Sequence, residues 1–151
     1  MSGTNTLLLA YQSPPKPDVI ALAAVVGNTR IVDIPGSNGI GAFAVATTNV
    51  GGAGSITVRA DLDSELRRRV GAKLPAQALV CQTDAQGACL APPAASGTLT
   101  MATNATATFS VFVYGSGTVP FDPGIYRVIV SFTNTTTGDF AGATSVALRT
   151  I

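Results

Sequence analysis

The chain contains no histidine and no tryptophan, and only 11% of its 151 residues are charged. Without histidine it lacks the commonest general base near neutral pH, the usual zinc ligand, and the base of Ser-His-Asp and Cys-His catalysis. Most hydrolase mechanisms fall away with it. Nine basic residues against eight acidic ones leave a formal charge of +1, too weak a field to steer the chain to nucleic acid or to an anionic membrane. Low charge combined with a mean hydropathy of +0.39 is the opposite of a disordered composition. Long apolar runs are missing as well: Met1-Ser-Gly-Thr-Asn-Thr-Leu-Leu-Leu-Ala10 has no basic flank and one four-residue apolar run, which suits neither a signal peptide nor a spanning helix. No membrane insertion is expected of this sequence.

What is present is alternation with a period of two. Residues 106–114 set Ala107, Phe109, Val111 and Val113 on one face against Thr106, Thr108 and Ser110 on the other, the pattern of a half-buried strand. Residues 125–132 repeat it with Tyr126, Val128, Val130 and Phe132, and residues 56–62 with Ile56, Val58, Ala60 and Leu62. Further strands are predicted at 19–26, 29–34, 41–49, 78–82, 97–102 and 143–150. Turn-forming residues separate them: Gly27-Asn28, Pro35-Gly-Ser-Asn-Gly39, Gly51-Gly-Ala-Gly54, Thr103-Asn104 and residues 134–138. About eight to ten short strands at this spacing predict an all-β two-sheet sandwich.

Residues 61–71 break the pattern. An Asp or Ser cap, early acids, late bases and a closing glycine predict one short helix near 63–71, with Pro75 barring a central strand immediately beyond. A second irregularity is at the start. Thr6, Leu7, Leu8, Leu9, Ala10 and Tyr11 form an apolar strand cut off from the rest by Ser13-Pro-Pro-Lys-Pro-Asp18, a stretch suited to an extended linker. The expected organisation is an isolated strand over 1–12, a proline-rich linker over 13–18, and the sandwich over 19–151. The isolated strand is either the end of a preceding domain or a strand available for exchange.

Candidate chemistry is sparse. Asp61, Asp63 and Glu65 place carboxylates at every second position, like the opening of a calcium loop, but Leu66 and Arg67-Arg-Arg69 follow where further ligands are needed. This is a weak metal candidate, and a capped helical turn explains the acids as well. The basic stretch over 67–73 has no interleaved aromatics for stacking on bases. Gly36-Ser-Asn-Gly-Ile-Gly41 and Gly51-Gly-Ala-Gly54 do not lie between a strand and a lysine-bearing helix, so they read as hairpin turns and bulges rather than phosphate cradles. Asn104-Ala-Thr106 and Asn134-Thr-Thr136 match the glycosylation acceptor pattern and equally suit turns. Cys81 and Cys89 bracket Asp84-Ala-Gln-Gly87, whose turn chemistry allows a disulfide across a hairpin. Two buried thiols in a reducing cytosol are the alternative. No cofactor and no enzymatic activity are expected.

The stretches Asn5-Thr-Leu-Leu-Leu9, Pro17-Asp-Val-Ile-Ala-Leu-Ala-Ala24, Gly41-Ala-Phe-Ala-Val-Ala46 with Asn49-Val-Gly51, Cys81-Gln-Thr-Asp84, Gly87-Ala-Cys-Leu90, Val119-Pro-Phe-Asp-Pro123 and Gly142-Ala-Thr-Ser-Val-Ala-Leu-Arg-Thr150 resemble an immunoglobulin-like module of large uncharacterised bacterial exported and surface proteins. The likeness spans nearly the whole chain from Gly3, and the element from Phe43 to Gly51 is similar to adhesion-related domains of bacterial and archaeal surface proteins. The resemblance implies a secreted or cell-surface setting in which the strand around residues 6–10 closes the preceding domain. It carries over no catalytic or binding residues, and the segment 63–76 departs from it in being longer and more basic. The function expected is a non-enzymatic structural or adhesion module, whose partners are neighbouring immunoglobulin-like domains or copies of itself. The alternatives are a self-assembling subunit that exchanges residues 6–11 into a dimer or filament, and a carbohydrate- or calcium-binding module with a surface glycan or protein ligand.

Overall fold

The alternating stretches fold as strands because each presents one β-branched or aromatic row to a core and one hydroxyl-rich or small row outward. The computed structural model describes residues 14–62 and 73–151. Among them are β1 (Val19–Val25), β2 (Ile31–Ile34), β3 (Ile40–Asn49), β4 (Gly54–Asp61), β5 (Ala76–Thr83), β6 (Ser96–Met101), β7 (Thr106–Gly115), β8 (Arg127–Asn134) and β9 (Phe140–Thr150). The isolated strand at 1–12 and the helix expected near 63–71 lie outside the described residues.

Two sheets pack face to face. One has the order β1-β3-β7-β5, antiparallel throughout; the other has the order β2-β9-β8-β4-β6, antiparallel except that β2 runs parallel to β9. The first order is the A-B-E-D arrangement and β9-β8-β4 the G-F-C arrangement of an immunoglobulin sandwich. One feature of the chain path differs. β5 joins the first sheet before β6 returns to the second beside β4, so the chain crosses between sheets on both sides of β5. Pro75 stands just ahead of β5, which is an edge strand of the first sheet.

The inner rows read from the sequence make the core. Val45, Phe109, Val111, Val113, Ile56, Val128, Val130 and Phe132 are fully buried. Phe109 of β7 and Phe132 of β8 meet across the sandwich with ring centroids 5.7 Å apart and planes tilted by 57°, the offset geometry that aromatic pairs favour.

The glycine-rich stretches do not make hairpins. Residues 35–39 join β2 to β3 and residues 50–53 join β3 to β4, and in both cases the two strands belong to different sheets. The hairpin expectation is therefore corrected. Turn chemistry specifies a local reversal, whereas the sheet that receives the next strand is decided by which core face that strand must cover. The loop after β8 does form a hairpin to β9, with the Asn134 Oδ1 accepting the N–H groups of Thr136 and Thr137 at 2.9 and 3.2 Å.

At the pole where β3 ends, the proline segment is docked. The Val50 N–H donates to the Asp18 carbonyl at 2.7 Å and the Gly52 N–H to the Lys16 carbonyl at 2.8 Å, and Pro17 is buried. A Cβ on Gly51 or Gly52 would overlap the carbonyls of Lys16 and Pro15 respectively. Asn49 sits beneath this junction with no exposed surface. Its Oδ1 accepts the N–H groups of Asp18 and Gly51, each at 3.1 Å. Its Nδ2 donates to the carbonyls of Gly52 at 2.8 Å and Ala102 at 3.1 Å, and its backbone pairs with Ala105 and Asn104. Truncating Asn49 to alanine strands several of these buried groups at once. At about 1–3 kcal/mol for each unsatisfied buried group, we expect Asn49→Ala to lower unfolding free energy by at least ~2 kcal/mol in urea titration, and Asn49→Asp to fail similarly because a carboxylate cannot donate.

Candidate functional site

Charge is distributed unequally between the two sheets. β1, β3, β5 and β7 contain no Lys, Arg, Asp or Glu at all, whereas β2, β4, β8 and β9 carry Asp33, Arg59, Asp61, Arg127 and Arg149. The outer face of the first sheet therefore presents Ile20, Leu22, Ala24, Ala44 and Ala46 with Thr108 and Ser110, and Ile20 and Leu22 are 55% and 70% exposed. A shallow cavity of about 360 Å³ lies on this face, between the β1–β3 rows and the turn that follows β5. The sequence reading missed this surface because its parts lie far apart in the chain. The signal was present in the outward rows of four charge-free strands.

Two cations of the second sheet, Arg149 and Arg127, are committed to structure. The Arg149 Nε donates to the Asp33 Oδ1 at 2.7 Å, and its guanidinium stacks 5.2 Å from the Phe121 ring centroid; the hydrogen bond it donates to the Asp33 carboxylate raises the already high pKa of this arginine. Arg127 bridges Ser145 and the Pro123 carbonyl. Lys16 donates to the Asp139 Oδ2 at 2.7 Å, fastening the proline segment to the β8–β9 hairpin and holding the Asp139 carboxyl below its ordinary range.

Cys81 and Cys89 form the disulfide, with Cα atoms 5.6 Å apart. The Asp84 Oδ1 accepts the N–H groups of Gln86 and Ala88, both at 2.9 Å, and Gly87 takes φ +83° to complete the turn. Thr83 bridges to Cys89 and Val80 to Ala94, so the returning chain runs along the outer edge of β5. Beneath that return lies a cavity of about 290 Å³, lined by Val58, Val80, Phe109, Leu90, Gln82 and Ser96 among others. Its floor is the core side chains Val58, Val80 and Phe109, and the rest of its wall comes from the less buried return and β6.

Of the acidic trio, Asp61 is described and lies 3.8 Å from the Arg59 Nε, while Asp63 and Glu65 lie outside the described residues. No cluster of three His, Cys, Asp or Glu suited to a metal ion occurs among the described residues. Lys73 is exposed, and Arg67, Arg68 and Arg69 lie outside the described residues. Tyr114 sits on the outer row of the first sheet opposite Ile40, whereas Tyr126 packs against the core from the second sheet. They do not share a stacking platform. Tyr11 is outside the described residues. Among the described residues no helix is long and apolar enough to cross a membrane. No protein-family model and no curated protein matches the chain.

Two measurements follow from the geometry. The chain-entropy cost of releasing so short a loop is about 2–3 kcal/mol, so the double variant Cys81→Ser, Cys89→Ser is expected to lose that much stability in denaturant titration. For Asp139, whose folded pKa is depressed, the Lys16 contact stabilises above the unfolded carboxylate value of about 3.9 and is lost as pH falls through the lower folded value. Asp139→Asn is expected to remove that acid-side dependence, read from melting temperatures measured between neutral and strongly acidic pH.

Proposed function

We propose that the chain is a non-catalytic structural or adhesion module of a multi-domain bacterial surface or secreted protein. The observation that supports this most is the Cys81–Cys89 disulfide closing the β5 edge, because disulfides form and persist in oxidising compartments and are rare in the reducing cytosol. The charge-free sheet agrees with it, since an uncharged, small-residue face suits packing against another protein surface better than binding of a charged substrate. The resemblance to immunoglobulin-like modules of exported proteins points the same way.

A glycan- or calcium-binding role has less support. Tyr114 and Tyr126 lie on different faces, and Asp61 is beside Arg59. The reading is tested in the organism that makes the protein. An antibody to the sandwich is expected to label intact cells or culture medium, and thiol labelling of the extracted protein should leave Cys81 and Cys89 unmodified until a reductant is added. Label confined to permeabilised cells with both thiols free, or reproducible turnover of a peptide or polysaccharide by the purified chain, would overturn it.

A further inference from the structure

The two edges of the uncharged sheet are finished differently. The β5 edge is covered by the chain that returns through the disulfide, with the Val80 and Ala94 backbones exchanging hydrogen bonds at 2.7 and 3.0 Å and the Leu90 N–H bonding the Gln82 carbonyl at 2.9 Å. β1 is the other edge; among the described strands β3 is the one hydrogen-bonded to it, and β9 of the second sheet lies close to its start. The β1 sequence, Val-Ile-Ala-Leu-Ala-Ala-Val, contains no charge, proline or glycine. These are the devices that usually keep an edge from pairing.

The ladder fixes which backbone groups face outward. The Val50 N–H donates to Asp18 and the Gly52 N–H to Lys16, and Val19 is opposite Asn49. Even-numbered residues of β1 thus bond to β3, and the odd-numbered ones turn their N–H and C=O groups away from it. The Val19 carbonyl meets Gly142 of β9, and among the described residues no hydrogen-bond partner is found on the outward side of Ala21, Ala23 and Val25. Their side chains pack on the core yet stay partly exposed, while Ile20 and Leu22 on the opposite face are exposed. An added strand at this edge would therefore meet apolar surface on both of its faces.

The sequence holds one segment of that kind. Thr6-Leu7-Leu8-Leu9-Ala10-Tyr11 is apolar on both alternating rows. Lys16 and Asp18 continue the line of β1 beyond its start. For residues 6–11 to pair with the β1 edge of their own copy the chain would have to reverse within residues 12–15, where Pro14 and Pro15 each restrict the preceding residue to extended backbone. We propose that residues 6–11 of one copy add as a strand to the Ala21–Val25 edge of a second copy. Main-chain hydrogen bonds supply the pairing, and the leucines cover the incompletely buried end of the core. Reciprocal exchange closes a dimer; successive exchange builds a filament. The inference does not depend on a surface location, since strand addition would hold in any compartment.

Sedimentation of the full 151-residue chain over a concentration series tests it. The mass is expected to rise from one copy to two or more. Ala23→Pro blocks an outward N–H without touching the β3 ladder, and Leu8→Asp spoils the donor strand; each variant alone is expected to stay monomeric. Mixed together, they should form a one-to-one heterodimer, because one intact donor and one intact acceptor remain. A synthetic peptide of residues 4–12 should dissociate the wild-type assembly, and the same peptide N-methylated at alternate residues should not, which keeps the test valid if Ala23→Pro fails to fold. A full chain that is monomeric at every concentration overturns the proposal, as does assembly indifferent to both substitutions. Assembly abolished by Leu22→Lys but not by Leu8→Asp or Ala23→Pro overturns it in favour of face-to-face packing.

Discussion

The carboxamide of Asn49 is the constraint on which the chain path depends. A sandwich with several crossings between sheets must turn the backbone repeatedly at its poles, and each turn exposes N–H and C=O groups that have left one ladder and not yet joined the next. At this pole three such places converge: the entry through Lys16 and Asp18, the β3–β4 connection at Gly51 and Gly52, and the β6–β7 connection at Ala102 to Ala105. A single buried side chain with two acceptor positions and two donor hydrogens serves all three. No apolar residue of the same size does this, and no charged one can be buried there without a partner.

Most of the strand structure was legible because period two is a direct imprint of a half-buried sheet. The rows Ala107, Phe109, Val111, Val113 and Ile56, Val58, Ala60, Leu62 read from the sequence are the rows found inside. The pairing of Cys81 with Cys89 was legible for the same local reason, since Asp84 and Gly87 carry the turn between them. Less legible was the route. Gly36 to Gly41 and Gly51 to Gly54 announce a reversal, and nothing in their chemistry distinguishes a hairpin from a step to the opposite sheet. Asn49 was visible in principle as a polar residue in phase with Phe43, Val45 and Thr47 on the inward row of β3. Recognising it as a hub requires Ala102 and Gly52, which are adjacent only once the sheets are stacked.

The low charge of the chain takes on a different meaning once it is mapped. A net charge of +1 suggests a molecule that is bland all over, yet no charged residue lies in a strand of the first sheet, whereas Asp33, Arg59, Asp61, Arg127 and Arg149 lie in strands of the second. On the outer face of the first sheet, Asp84 of the turn after β5 is the charged residue lining the cavity. Small outward residues such as Ala24, Ala44 and Ala46 keep that face flat, which limits what a lone molecule loses by exposing it and allows close approach of a second backbone.

Unpaired edges are a hazard that natural sheets usually suppress, and this chain does so on one side with a covalent link. The return from Cys89 to Ala94 occupies the β5 edge, and the disulfide prevents that return from being peeled away. A chain able to protect one edge so thoroughly has left the opposite edge with a continuous apolar strand and a core that Ala21, Ala23 and Val25 only partly cover. Solubility alone would favour a lysine or a proline somewhere in Val19–Val25, and either would be tolerated at an edge. Their absence, beside a protected β5, is what the proposed strand addition requires of this edge.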